Sequence, residues 1–165
     1  MAVKQHHYKV QIDWTGSDGN GTSTYQSYRR DHTISSIGKP LIEGSSDPTF
    51  RGDPTRYNPE ELLVASLSSC HMLWYLHLCS AAGVTVLEYR DDASGVMEEG
   101  ADGSGVFTSV RLSPKVRISD PKVSDKALSL HEKAHHMCFI ARSVNFPVNV
   151  VPELLTGTIS YMTTE

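Results

Sequence analysis

The chain has 165 residues, a formal net charge of −4 and an isoelectric point near 6.0, which leaves no basic footprint for a nucleic acid partner. That length suits one domain with a real core, read as residues 1–165. No run of about 18 or more apolar residues without polar breaks proposes a membrane span, and the opening MAVKQHHYKVQIDW has neither a continuous apolar region nor a small-residue cleavage site, so a soluble cytoplasmic protein is expected.

Tyr8, Val10, Ile12 and Trp14 alternate with polar residues, and the SDGNG turn leads into TSTYQSYRRDHTI, which together read as a β-hairpin. On the second strand, alternation puts Tyr28, Arg30, His32 and Ile34 on one face and Ser27, Arg29, Asp31 and Thr33 on the other. The first set is the more apolar, so Arg30 is expected to point inward, with Glu60 or Glu61 as its anion. Arg29, Arg51 and Arg56 are weaker rivals in exposed or loop-bound places.

A Gly/Pro/Ser-rich loop, GSSDPTFRGDPTRY, delivers the chain to NPEELLVASLSSCHMLWYLHLCSAAG, residues 58–83. Asn58 suits the cap, Pro59 the first helical position and Glu61 a capping-box partner, while Gly83 supplies the stop. Almost no polar face remains between them, so a helix covered on most sides is expected. VTVLEYRDDASGVM and GVFTSVRLSPKVRI read as two further strands, and Asp120 and Pro121 start a second helix whose apolar stripe runs from Val123 through Ala134 and Cys138 to Ala141. LLTGTISYM closes the chain as a strand. The order strands, helix, strands, helix, strand predicts an α+β domain.

Three cysteines, Cys70, Cys79 and Cys138, make neither a disulfide framework nor a Cys-x-x-Cys knuckle. Cys79 follows Cys70 on the same helix by roughly 13 to 14 Å at 1.5 Å per residue, too far for a bond, which leaves Cys138 as the candidate partner. Cys79 reads as a small buried hydrophobe. Cys70 lies deep in its helix, where burial opposes the thiolate and the helix dipole is distant, so its reactivity requires a cation from elsewhere.

His131, Glu132 and His135 spell H-E-x-x-H, a zinc-protease pattern, but no further histidine follows at the expected spacing. His131, His135 and His136 are read as a polar helix face. A broader rival makes Cys70, His71, Cys138 and a nearby histidine a metal or small-ligand module without enzymatic activity.

The run NPEELLVASLSSCHM, followed by HEKAHHMCFIA, resembles the OsmC/Ohr family of thiol-dependent peroxidases, the osmotically inducible and organic hydroperoxide resistance proteins. The resemblance spans essentially the whole chain. It implies antiparallel sheets wrapped around a long buried helix, with Cys70 as the peroxidatic thiolate, Cys138 as the resolving cysteine and an arginine paired to Glu60 as the activator. Arg30 is assigned that place. It also implies a hydroperoxide substrate, reduction by a dihydrolipoyl protein or thioredoxin, and no metal or cofactor. Phe139 departs from the proline that often follows the second cysteine. Ten residues of straight helix separate Glu60 from Cys70 by about 15 Å, beyond a glutamate's reach, so an intertwined homodimer with sites shared between chains is expected.

Overall fold

The computed structural model describes residues 4–157 and divides the chain into two compact units, residues 1–62 and 63–165. In the first unit, β1 (Gln11–Trp14), β2 (His32–Ser35) and β3 (Ile42–Gly44) form an antiparallel sheet in that order. Ile12, Ile34 and Ile42 stand opposite one another across it. The hairpin of the sequence is present, but β2 begins only at His32. Tyr28 to Asp31 lie outside the ladder, apart from an isolated bridge between Ser17 and Tyr28. The strand alternation that set Arg30 inward therefore does not extend to it.

Helix α1 (Pro59–Ala81) starts in the first unit and continues through the second. Its capping box is formed: Glu61 N donates to Asn58 Oδ1 at 2.7 Å, and Asn58 N donates to Glu61 Oε2 at 3.0 Å. Gly83 closes it at φ 72°, with Val84 N donating to Cys79 O and Gly83 N to Ser80 O, the paired bonds of a Schellman stop. By length and composition α1 would also suit a membrane crossing. Within the second unit it is instead a packing element.

The covering of α1 differs from the expected all-round burial. Its fully buried residues, Leu67, His71, Tyr75 and Cys79, recur at intervals of four and make a single stripe, while Leu73 on the opposite side is 63% exposed. Residues four apart drift slowly around a helix, so a sheet and one neighbouring helix can reach only this stripe and its flanks.

The two long strands read after Gly83 are four: β4 (Val86–Asp91), β5 (Ser94–Glu99), β6 (Gly105–Leu112) and β7 (Pro114–Ile118). Both break at the same level, after Asp91 and at Ser113, where the chain passes between two three-stranded sheets, one that holds β4 and β7 and one that holds β5 and β6. Asp91 staples that corner. Its carboxylate accepts Ser113 N and the Ser68 hydroxyl of α1, both at 2.6 Å. Pro114 fits because a strand's first residue can spare its N–H. The last strands, β8 (Val148–Val150) and β9 (Glu153–Thr156), run parallel to β6 and β7, so the sheets are mixed rather than antiparallel throughout. The closing strand read as LLTGTISYM ends at Thr156, Gly157 follows it at a bend, and residues 158–162 of that segment lie outside the described residues.

The second helix begins with a 3-10 turn at Pro121–Val123, capped by Asp120, which accepts Lys122 N. Helix α2 proper covers Ser124–Met137, and Cys138 stands at its C-terminal cap in extended conformation rather than inside it. Two apolar clusters result. Tyr75, Cys79, Val84, Val116, Ile118, Ala127 and Ala134 fill the space among α1, α2 and the β4-β7-β9 sheet. Leu67, Val110, Leu112 and Val148 form the other, flanked by Phe107, Phe146 and Ile140. Gly95 of β5 is needed in that second cluster because a Cβ there would stand 2.9 Å from a Val64 methyl.

Candidate functional site

Cys70 and Cys138 come from different helices of the second unit and meet. Cys70 is half-buried, Cys138 is buried, neither is in a disulfide, and Cys70 is among the neighbours that perturb the Cys138 thiol. Burial pushes the Cys138 thiol up to about 11, helped by its neighbour Cys70 and opposed by the backbone N–H groups of Ala141 and Ile140. Ala141 N donates to Cys138 Sγ at 3.4 Å. The arrangement pairs an accessible sulfur with a sheltered, protonated one.

One turn along α1 from Cys70, Trp74 meets Phe139, the residue after Cys138, edge to face with centroids 5.5 Å apart. Phe139 is 61% exposed, and Leu73, Trp74 and His77 line an apolar hollow of about 280 Å³. An apolar surface thus adjoins the thiols. Cys79 stands apart at the far end of the buried stripe, with its thiol pushed up chiefly by burial.

The histidines depart from the expected polar face. His131 is only 3% exposed, and its Nδ1 is 3.0 Å from Nε2 of the fully buried His71. His131 also stacks on Tyr75 with centroids 3.8 Å apart. Burial, and then His135, hold His71 down at about 4, while burial, and then His71, hold His131 at about 3, so both are neutral near pH 7. His136 and Glu132 are on the surface. The signal for this pair was in the sequence, since His71 falls midway between Leu67 and Tyr75 on the buried stripe. Among the described residues no group of three or more His, Cys, Asp or Glu is arranged to hold a metal ion.

The remaining predicted residues fall in the first unit. The Arg30 guanidinium lies between the rings of Tyr28 and Tyr25, 4.1 and 4.2 Å from their centroids, and donates to the carbonyl oxygens of both residues. Asp31, 9% exposed, is the buried charge of that segment. It pairs with Arg29 at 2.9 Å and Arg56 at 4.0 Å and accepts the Ser45 hydroxyl. Arg51 sits in a left-handed turn at φ 66°. Glu60 keeps a buried carboxylate oxygen, Oε2, without a hydrogen-bond partner among the described residues.

Residues 52–153 match the family model described as OsmC-like protein. Among solved structures, an OsmC-like protein of unknown function from Vibrio cholerae is 32% identical, with 92% of this chain and 100% of that one covered and a TM-score of 0.78. The fold is shared by an organic hydroperoxide resistance protein from Elizabethkingia anophelis, 18% identical, covering 94% and 100%, at a TM-score of 0.60. It is also shared by a Vibrio cholerae protein described as a putative organic hydroperoxide resistance protein with captopril in one of its active sites, 18% identical, covering 91% and 93%, at 0.61. No curated protein matches the chain. With the family model spanning most of its length, and with the two helices that carry Cys70 and Cys138 inside the matched region, the chain belongs to the OsmC family.

Proposed function

We propose that this protein is a thiol-dependent peroxidase that reduces organic hydroperoxides to alcohols, within the redox and peroxide-stress role that its family supports. The observation that carries the reading is the meeting of two free thiols from separate helices, one accessible and one sheltered, beside an apolar surface. The Cys70 thiolate attacks the distal oxygen of ROOH, the O–O bond breaks, and the alkoxide takes a proton and leaves as ROH. Cys70 is then a sulfenic acid. The Cys138 sulfur displaces hydroxide from it, the thiol proton leaves as part of the water formed, and a Cys70–Cys138 disulfide results. A dithiol reductant, of the dihydrolipoyl or thioredoxin kind, returns both thiols at the cost of its own oxidation. Such a reductant suits the cytoplasm.

Arg30 serves in this reading as the cation that favours the Cys70 thiolate, and Glu60, which it does not meet among the described ion pairs of one chain, serves as its anion across the dimer, with no metal or cofactor. A homodimer accounts for the side of α1 that its own chain leaves bare, where Leu73 is exposed. The test is consumption of cumene hydroperoxide and hydrogen peroxide, each with dihydrolipoamide and with thioredoxin. Faster turnover of cumene hydroperoxide is expected, and no consumption with any dithiol would end the proposal.

A further inference from the structure

The buried pair His71 and His131 is unused by the chemistry just described, yet it sits beside it. His71 follows Cys70 directly on α1, and His131 lies on α2 seven residues before Cys138, the residue that caps that helix two turns further on. Each member of the bond is therefore tied by rigid helix to one of the two thiols. Fully buried Ala127 and Ala134 are small side chains in the core shared by α1 and α2. At that packed surface stand His71, Tyr75 and Cys79 from α1, His131 and His135 from α2, and Tyr89 from β4, which packs on Tyr75 with centroids 6.0 Å apart. No carboxylate is hydrogen-bonded to either ring among the described residues.

A neutral imidazole has one N–H, so the 3.0 Å contact uses a single proton, and His71 Nδ1 and His131 Nε2 are left buried without partners. Two leucines would fill such a place with no polar atom stranded. What imidazoles add is direction. Apolar surfaces can slide by a fraction of a turn at little cost, whereas a buried hydrogen bond is lost if either helix rotates or shifts. A disulfide demands that kind of control, because its Cα atoms must come within roughly 4.4 to 6.8 Å with the Cβ vectors facing.

We propose that the His71–His131 hydrogen bond is a register pin that fixes α2 on α1 so that Cys138 is presented to Cys70, which makes both histidines positioning residues for disulfide formation. The inference rests on the Cys70–Cys138 exchange of the preceding section but not on the peroxide that drives it.

The test uses the full-length protein and the oxidant diamide, which takes up two electrons and two protons from a thiol pair to give the hydrazine and the disulfide. Disulfide formation is timed by mass spectrometry, alongside alkylation of Cys70 by iodoacetamide and far-ultraviolet circular dichroism. His71→Leu and His131→Leu are expected to slow disulfide formation by roughly tenfold or more while Cys70 alkylates as before. The double variant His71→Gln with His131→Asn places amide groups where Nε2 and Nδ1 stand. It is expected to restore the wild-type rate, which loss of packing alone would not predict. Folded leucine variants that close the disulfide at the wild-type rate would overturn the proposal, as would an amide pair that is slow or unfolded. If the leucine variants fail to fold, the amide pair decides. Wild-type protein that forms no sulfenic acid with hydroperoxides would defeat the peroxidase reading alone, since the diamide measurement still tests the pin.

Discussion

Cys138 is held as a thiol at neutral pH by burial, and Cys70 is the less buried of the two residues, so the proposed peroxidase reaction assigns the first attack on peroxide to Cys70 and the second step to Cys138. Cys70→Ser is expected to abolish peroxide consumption. Cys138→Ser is expected to permit one oxidation and then stop at the sulfenic acid, trapped with dimedone and weighed by mass spectrometry. Cys79→Ser stays active, and a disulfide containing Cys79 in peroxide-treated protein would refute the assignment. Arg30→Met is expected to raise the pH at which Cys70 alkylates, with Glu60→Ala acting the same way more mildly. If Arg30→Met leaves that profile untouched while Arg29→Met or Arg56→Met shifts it, the activating role moves to the other residue. The cage of Tyr25 and Tyr28 around Arg30 holds the guanidinium by cation–π contact and carbonyl oxygens, leaving its charge uncompensated by any carboxylate among the described ion pairs.

Helices α1 and α2 carry the thiols, and what joins them sets their response to acid. His71 and His131 lie below the ordinary histidine value of 6.5, at about 4 and about 3. An unfolded chain therefore takes up protons on these rings between pH 6.5 and about 4 while the folded one does not. Their contribution to stability is complete above pH 6.5 and is lost progressively as the pH falls through that window. Urea midpoints at pH 7.5 and pH 5 are expected to differ, and the Gln/Asn double variant, which cannot titrate, narrows the difference. An equal drop in both proteins would place the acid sensitivity elsewhere. At the same level, Trp74 and Phe139 make one aromatic edge from two elements. Trp74→Ala and Phe139→Ala are expected to lower kcat/KM for cumene hydroperoxide roughly tenfold, consistent with about 1 to 2 kcal/mol of lost apolar contact, and to change that for hydrogen peroxide much less. Equal losses on both substrates would reduce the pair to packing.

For the whole molecule, the decisive feature is the buried stripe Leu67, His71, Tyr75 and Cys79, set against Leu73 exposed on the other side of α1. A helix this apolar leaves its second side for another surface, and in the proposed homodimer a second copy in antiparallel contact would bring Glu60 of each chain toward Cys70 of the other. Co-expression of Cys70→Ser and Glu60→Ala chains with different tags tests this. The isolated heterodimer has one site with both residues intact and is expected to reach about half of wild-type activity, one site in two. A monomer in sedimentation, or a heterodimer no better than the average of its parents, would remove the shared site and leave the thiol chemistry untouched.

The ends of α1 were legible because they are local: Asn58 and Glu61 bond across three residues, and only glycine takes φ 72° at position 83 without strain. The cysteines of the site were legible as types at a spacing. Where the strands break was not, because the kinks at Asp91 and Ser113 answer to a serine hydroxyl on α1, 23 residues away from Asp91. The histidines were misread for the same reason. Periodicity ranks His131 as polar, whereas its burial depends on His71, 60 residues distant, supplying the one hydrogen bond that makes a neutral imidazole tolerable inside the core. Sequence by itself determined the bounds of α1, the α+β class and the candidate thiols, all set by neighbours within a turn or two. Tertiary structure decided which thiols meet, which face of α1 is covered and which polar groups are buried, because those depend on partners that chain proximity does not supply.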